Sequence, residues 1–92
     1  MSNQFNNSIT LAVDNVSGCS DDHIYNMMGL FGEVEYVYYY YNINRKLQVC
    51  KIAYGVYKEL NDSTNILKNI KKGQKATFKP RGSNTSYNVS IE

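Results

Sequence analysis

An α+β domain with the element order β-α-β-β-α-β is what this sequence predicts, and three observations carry it. ITLAVDNV, SDDHIYNMMGLFG and EVEYVYYYY read as a strand, a capped amphipathic helix and a second strand within residues 9–41. LQVCKIAYGVY then reads as a third strand, and YNVSI closes the chain as a fourth. Between these two, Ile66, Leu67 and Ile70 have the spacing of a second helix stripe. The expectation is a single domain over 1–92: a four-stranded antiparallel sheet with both helices on one face and the other face open to solvent.

Each element has its own signal. Residues 1–8 are polar and expected to be flexible. Ile9, Leu11 and Val13 alternate with Thr10, Ala12 and Asp14, the period of a half-buried strand. Ser17-Gly18 breaks it, and Ser20 suits a helix N-cap, with Asp21 and Asp22 at the positive end of the helix dipole. Ile24, Met27, Met28 and Phe31 form one apolar stripe, and Gly32 is expected to stop the helix in a left-handed conformation. Residues 34–41 are rich in β-branched and aromatic types, and 42–46 read as a polar loop. In 47–57, Cys50, Ile52, Tyr54 and Val56 share one face and Lys51, Ala53 and Tyr57 the other. A lysine mid-strand suggests that its own face is the open one, but a slip of one residue would expose Ile52 and Tyr54 instead. Asp62 or Asn61 would cap the second helix and Gly73 would end it. Residues 74–86 are less regular, with Ala76-Thr77-Phe78 as a short strand before a Pro80-Arg81-Gly82 turn.

Composition narrows the class. The chain has 92 residues, 42% of them apolar, enough for one core and too many for a disordered chain. No apolar run reaches the ~18 residues of a membrane span, and the N-terminus has no signal-peptide pattern, so an intracellular protein without membrane association is expected. Two cysteines are too few for a disulfide framework; Cys50 reads as a small core residue and Cys19 as a loop residue. One cysteine and the lone His23 make a poor zinc site, so no metal or other cofactor is expected.

The net charge of +2 hides a split, because all ten Lys and Arg lie between Arg45 and Arg81. The first 44 residues carry only acidic groups: Asp14, Asp21, Asp22, Glu33 and Glu35. Such asymmetry suggests a basic face that attracts phosphate; the alternative is that the lysines merely solvate a late strand and helix.

These elements together resemble an RNA recognition motif (RRM) domain. In SDDHIYNMMGLFGEVEYV, the positions Ile24, Met27, Met28, Phe31, Gly32, Val34 and Val37 are similar to that family's first helix and second strand. LAVDNV stands where its first-strand RNP2 motif would be, and NDSTNIL and YNVSI where its second helix and last strand would be. The resemblance spans roughly 9–91 and is most specific over 11–37. It implies a ferredoxin-like sheet whose open face stacks bases on aromatic rings. The chain departs from the pattern where bases would stack. Ala12 replaces the RNP2 aromatic, and the third strand lacks the Lys/Arg-Gly-Phe-Gly-Phe pattern.

The second strand offers compensation, with Tyr36, Tyr38 and Tyr40 on the face opposite Val34 and Val37. The functional expectation is a domain that binds single-stranded nucleic acid, RNA before DNA. Tyr36, Tyr38, Tyr40 and Tyr57 would stack bases, and Arg45, Lys46, Lys51, Lys75 and Arg81 would contact phosphate. The competing expectation is a protein-interaction or self-association module, an adaptor or inhibitor, since tyrosine-rich faces also suit protein partners. A tyrosine run in a chain this rich in Asn, Lys and Ile also arises from AT-rich coding, of the kind viruses carry. An enzyme is disfavoured: there is no phosphate loop and no nucleophile–base pair beyond Cys19 and His23. A small OB-type barrel, suggested by LKNIKKGQKATF, leaves residues 1–30 without a role.

Overall fold

The computed structural model describes residues 8–61 and 63–92. Six elements follow in order: β1 Ile9–Val13, α1 Asp21–Met28, β2 Val34–Ile43, β3 Val49–Tyr57, β4 Lys75–Phe78 and β5 Tyr87–Ile91. The strands form one five-stranded sheet in the order β2-β3-β1-β5-β4, every neighbour antiparallel. β1 and β2 therefore run the same way with β3 between them.

The predicted fold class is corrected on two counts. The sheet has five strands rather than four, and α1 is the one helix among the described residues, so the arrangement is mostly β and not the two-helix ferredoxin-like form. Residues 58–61 and 63–74, between β3 and β4, run through turns and bends. The apolar stripe expected there still packs inward, with Leu67 buried and Leu60, Ile66 and Ile70 against the core. What fails is the backbone. Asn65 sits in the left-handed region at φ 61°, which no α-helix tolerates. The stretch Asn61–Asn65 is all Asn, Asp, Ser and Thr, whose side chains compete for backbone groups, as the Thr64 hydroxyl does with the Ile66 N–H at 3.4 Å. The cap proposed at Asp62 and the flexible start over 1–7 lie outside the described residues. The short strand at 76–78 does form, within β4, and the turn after it closes with Ser83 N–H donating to Pro80 O at 3.0 Å.

α1 forms as its sequence requires. The Ser20 hydroxyl accepts from His23 N–H at 3.1 Å, Asp21 and Asp22 occupy the first turn, and Ile24, Met27 and Met28 are buried. The helix stops earlier than expected, at Met28, and a turn carries the chain to Phe31. Gly32 then serves a different need. Its φ is 153°, and a Cβ there would lie 2.8 Å from Glu59 O, so only glycine lets the two connections pass.

The register of β3 is settled by what lies under the helix. Leu11 pairs with Gly55 and Val13 with Ala53, so Ala53, Gly55 and Tyr57 face α1. Tyr57 is fully buried and its hydroxyl donates to Met28 O at 2.7 Å. A Cβ on Gly55 would come within 2.9 Å of Met28 Sδ, so small residues at 53 and 55 are what admit the helix. Cys50, Ile52, Tyr54 and Val56 consequently point to the opposite face. That overturns both the open-face assignment of Lys51 and the core assignment of Cys50. Leu11, Val13, Val16, Ile24, Met28, Phe31, Tyr57 and Val89 make the fully buried centre, with Phe31 edge-on to Phe78 at 5.5 Å.

Burial holds the Tyr57 phenol well above its ordinary pKa. The folded state keeps this proton while the unfolded chain loses it near pH about 10, so the linked stability is full below that pH and is lost above it. Tyr57→Phe is expected to cost about 1 kcal/mol in urea unfolding at pH 7, since one buried hydrogen bond goes while Phe31 N–H still serves the Met28 carbonyl. It should also flatten the alkaline decline, which unfolding curves taken from pH about 8 to about 11 would measure.

Candidate functional site

The sheet face turned away from α1 is the candidate site. Along β2, a bulge between Val34 and Tyr36 resets the alternation, so Val34 and Val37 both point to the core side. Tyr36, Tyr38 and Tyr40 then line the opposite face, 57%, 46% and 55% exposed. Tyr36 and Tyr38 have ring centroids 6.2 Å apart, and Tyr38 stacks on Tyr54 of β3 at 5.0 Å and 11°. Ile52 and Val56 flank Tyr54 on the same side of β3. The face thus has an aromatic half over β2 and β3, and a polar half over β1, β5 and β4 that carries Thr10, Asp14, Asn88, Ser90, Glu92, Lys75 and Thr77.

The predicted site residues divide. Tyr36, Tyr38 and Tyr40 come together as expected. Tyr57 does not join them: it is buried under α1 and presents no ring to solvent. Lys51 lies on the helix side, its ammonium 3.3 Å from Asp21 and 4.3 Å above the Tyr39 ring. Arg45 and Lys46 are exposed in the turn joining β2 to β3. Lys75 is on the open face but far from β2, and its ammonium is held 3.1 Å from Asp14. Arg81 is exposed in the turn after β4, away from the tyrosines. The split of charge along the chain therefore does not become two opposed faces, because Lys51 and Lys75 reach back to Asp21 and Asp14.

Tyr54 is the residue that the sequence left open, exposed only under the alternative register of β3. The signal was present in the small residues Ala53 and Gly55, which mark the side where a helix packs and so leave Tyr54 on the other. Burial against its neighbours raises the Tyr54 pKa, with Glu92, Tyr38 and Asp14 adding in that order. Its hydroxyl stays protonated and able to donate. Two carboxylates thus stand near the inner end of the aromatic half, while Arg45 and Lys46 stand beyond its outer end.

The other features are less developed. A depression of about 780 Å³ lies between the α1 N-terminus and the turns before β5, lined by Cys19, His23, Ser83 and Tyr87 among others. Its thiol is engaged, Cys19 Sγ lying 3.2 Å from Tyr87 Oη. Among the described residues, no three His, Cys, Asp or Glu side chains are grouped to hold a metal ion. No helix among them is long and apolar enough to cross a membrane.

Because Lys51 belongs to the helix side, its role is structural. Lys51→Met should lower stability by about 1 kcal/mol or less, given one exposed carboxylate partner, a cation–π contact with Tyr39 and a more distant one with Tyr41, as urea unfolding would show. No protein-family model, no curated protein and no solved structure matches this chain.

Proposed function

We propose that the open sheet face binds single-stranded nucleic acid, with bases stacking along β2 and the strand leaving over the turn at Arg45 and Lys46. One observation carries the reading: a row of half-exposed tyrosines, Tyr36, Tyr38 and Tyr40, backed by Tyr54, on a face that no other element covers among the described residues. Tyrosine rings offer flat, uncharged surfaces, and stacking a base on one contributes about 1–3 kcal/mol irrespective of sequence. The preference for RNA over DNA rests on the resemblance of LAVDNV and the α1–β2 segment to the RRM family, in which the aromatics stand on the same face.

Electrostatics gives the path a direction. Phosphates are repelled near Tyr54, where Asp14 and Glu92 approach, and attracted toward Arg45 and Lys46. The ligand therefore follows β2 lengthwise rather than crossing the sheet toward β5. Lys75, already paired with Asp14, adds little, and Tyr57 and Lys51 have no part.

A second reading is favoured by those same carboxylates. An aromatic and aliphatic patch of Tyr38, Tyr54 and Ile52, with few free cations beside it, also suits a protein partner.

Fluorescence anisotropy of labelled single-stranded RNA at low and physiological salt separates the two. Micromolar binding that falls with salt is expected. Tyr38→Ala and Tyr40→Ala should each weaken it by about 1–3 kcal/mol, Lys51→Met should leave it unchanged, and Arg45→Ala should reduce the salt slope. Absence of binding at low salt would discard the nucleic-acid reading in favour of the protein one.

A further inference from the structure

The two edges of the sheet are unlike. β4 has four residues, begins with Lys75 and is followed by Lys79-Pro80, the features that keep an edge from pairing. β2 has ten residues, VEYVYYYYNI, with no proline, no lysine and no charge after Glu35. Its neighbour on one side is β3, and on the other no strand follows. Among the described residues, this edge is met at its first residue, where the Tyr25 hydroxyl donates to Val34 O at 3.5 Å.

The hydrogen-bond parity of that edge can be read. Asn44 N–H donates to Gln48 O across the hairpin, so the even-numbered residues of β2 from Tyr36 onward turn their N–H toward β3. Val37, Tyr39, Tyr41 and Ile43 turn theirs outward, and the Ile43 N–H accordingly bonds to the side-chain oxygen of Asn42 at 2.8 Å instead of to β3. These residues also leave apolar surface uncovered at the far end of the hairpin. Tyr41 is 59% exposed and Ile43 63%.

We propose that two copies of this chain join edge to edge through β2, antiparallel, about a two-fold axis at Tyr40. In that register Tyr39 pairs with Tyr41 of the second copy and Val37 with Ile43, each residue meeting one on its own face of the sheet. Outward-turned backbone groups meet outward-turned groups, and the exposed Tyr41 and Ile43 gain the half-buried Tyr39 and Val37 as cross-strand neighbours. Charge selects the same arrangement. β2 begins after Glu33 and contains Glu35, and it is followed by Arg45 and Lys46. Antiparallel pairing at Tyr40 brings Glu35 level with Arg45 of the second copy, whereas a parallel arrangement would set like charges together. The contact is isologous and consumes the one edge left unprotected among the described residues, so it closes at two copies and does not grow into a filament. It uses the edge of β2 and leaves the tyrosine face open, sharing only Arg45 with the proposed nucleic-acid path.

Light scattering coupled to size-exclusion chromatography, from low to high micromolar protein without nucleic acid, tests this. The mass is expected to rise from 10.5 kDa toward twice that value. Ile43→Lys sets a charge against Val37 and should weaken the dimer about tenfold or more. Arg45→Glu should do the same by facing Glu35, and adding Glu35→Arg should restore the dimer. Both positions are exposed, so circular dichroism should show the fold retained. A monomer throughout the range overturns the proposal. So does a dimer that persists in both Ile43→Lys and Arg45→Glu, while failure of the charge swap to rescue overturns the register at Tyr40. Tyr38→Ala, which probes the face, should leave the mass unchanged.

Discussion

The contact that orders the rest of the molecule is the seating of α1 on β3 at Tyr57. The Tyr57 ring is buried with its hydroxyl on the Met28 carbonyl, and Gly55 lies under the Met28 sulfur. Those two facts leave β3 no choice of parity. Once Tyr57 faces in, Lys51 faces in with it and finds Asp21 at the start of the same helix. Tyr54 then faces out and meets Tyr38. The β2 bulge performs the matching adjustment, keeping both Val34 and Val37 on the core side so that the following tyrosines fall on the open face. The composition of the exposed surface is thus a consequence of how the interior was packed.

How much of this was legible beforehand follows from where the signal was local. Ser20, the two aspartates and the stripe from Ile24 to Phe31 agree with one another over one short segment, and α1 formed from them. β1 and β5 alternate in sequence because Leu11 and Val13, and Tyr87 and Val89, are buried on one face. β3 was ambiguous because its larger apolar residues, Ile52, Tyr54 and Val56, lie on the open face, while the buried face holds Ala53 and Gly55. A count of apolar bulk points the wrong way there, since a strand that supports a helix needs small residues. The second helix failed for a related reason. Ile66, Leu67 and Ile70 correctly announced burial, but burial does not require a helix, and the run of Asn, Ser and Thr before them favours turns over a helical backbone.

The candidate site was legible in part for the same reason. Tyr36, Tyr38 and Tyr40 could be placed because Val34 and Val37 fix β2 from within a few residues. Lys51, Tyr57 and Tyr54 depended on the parity of β3, a tertiary fact. The cations were the least legible. A tally by segment assigns ten basic groups to one half of the chain, yet Lys51 and Lys75 are drawn across to aspartates of the other half. Linear charge asymmetry becomes a charged surface only when the fold keeps the two signs apart, and an antiparallel sheet that interleaves early and late strands mixes them.

β2 concentrates the properties that set this protein apart from a bare scaffold, and it does so by alternation. From Tyr36 onward its even residues turn backbone groups to β3 and side chains to the open face, and its odd residues turn backbone groups outward and side chains to the helix side. Ring surface and free edge are therefore borne by different residues of one strand and need not compete. A charge at Tyr38 or Tyr40 would change what the face presents without changing which backbone groups are free. A charge at Ile43 would do the reverse. Strands at the centre of the sheet have no such freedom, because both of their edges are occupied. Among the described residues, the longest strand, the most aromatic one and the one with an unprotected edge coincide at β2, whereas the β4 edge carries lysines and is followed by a proline.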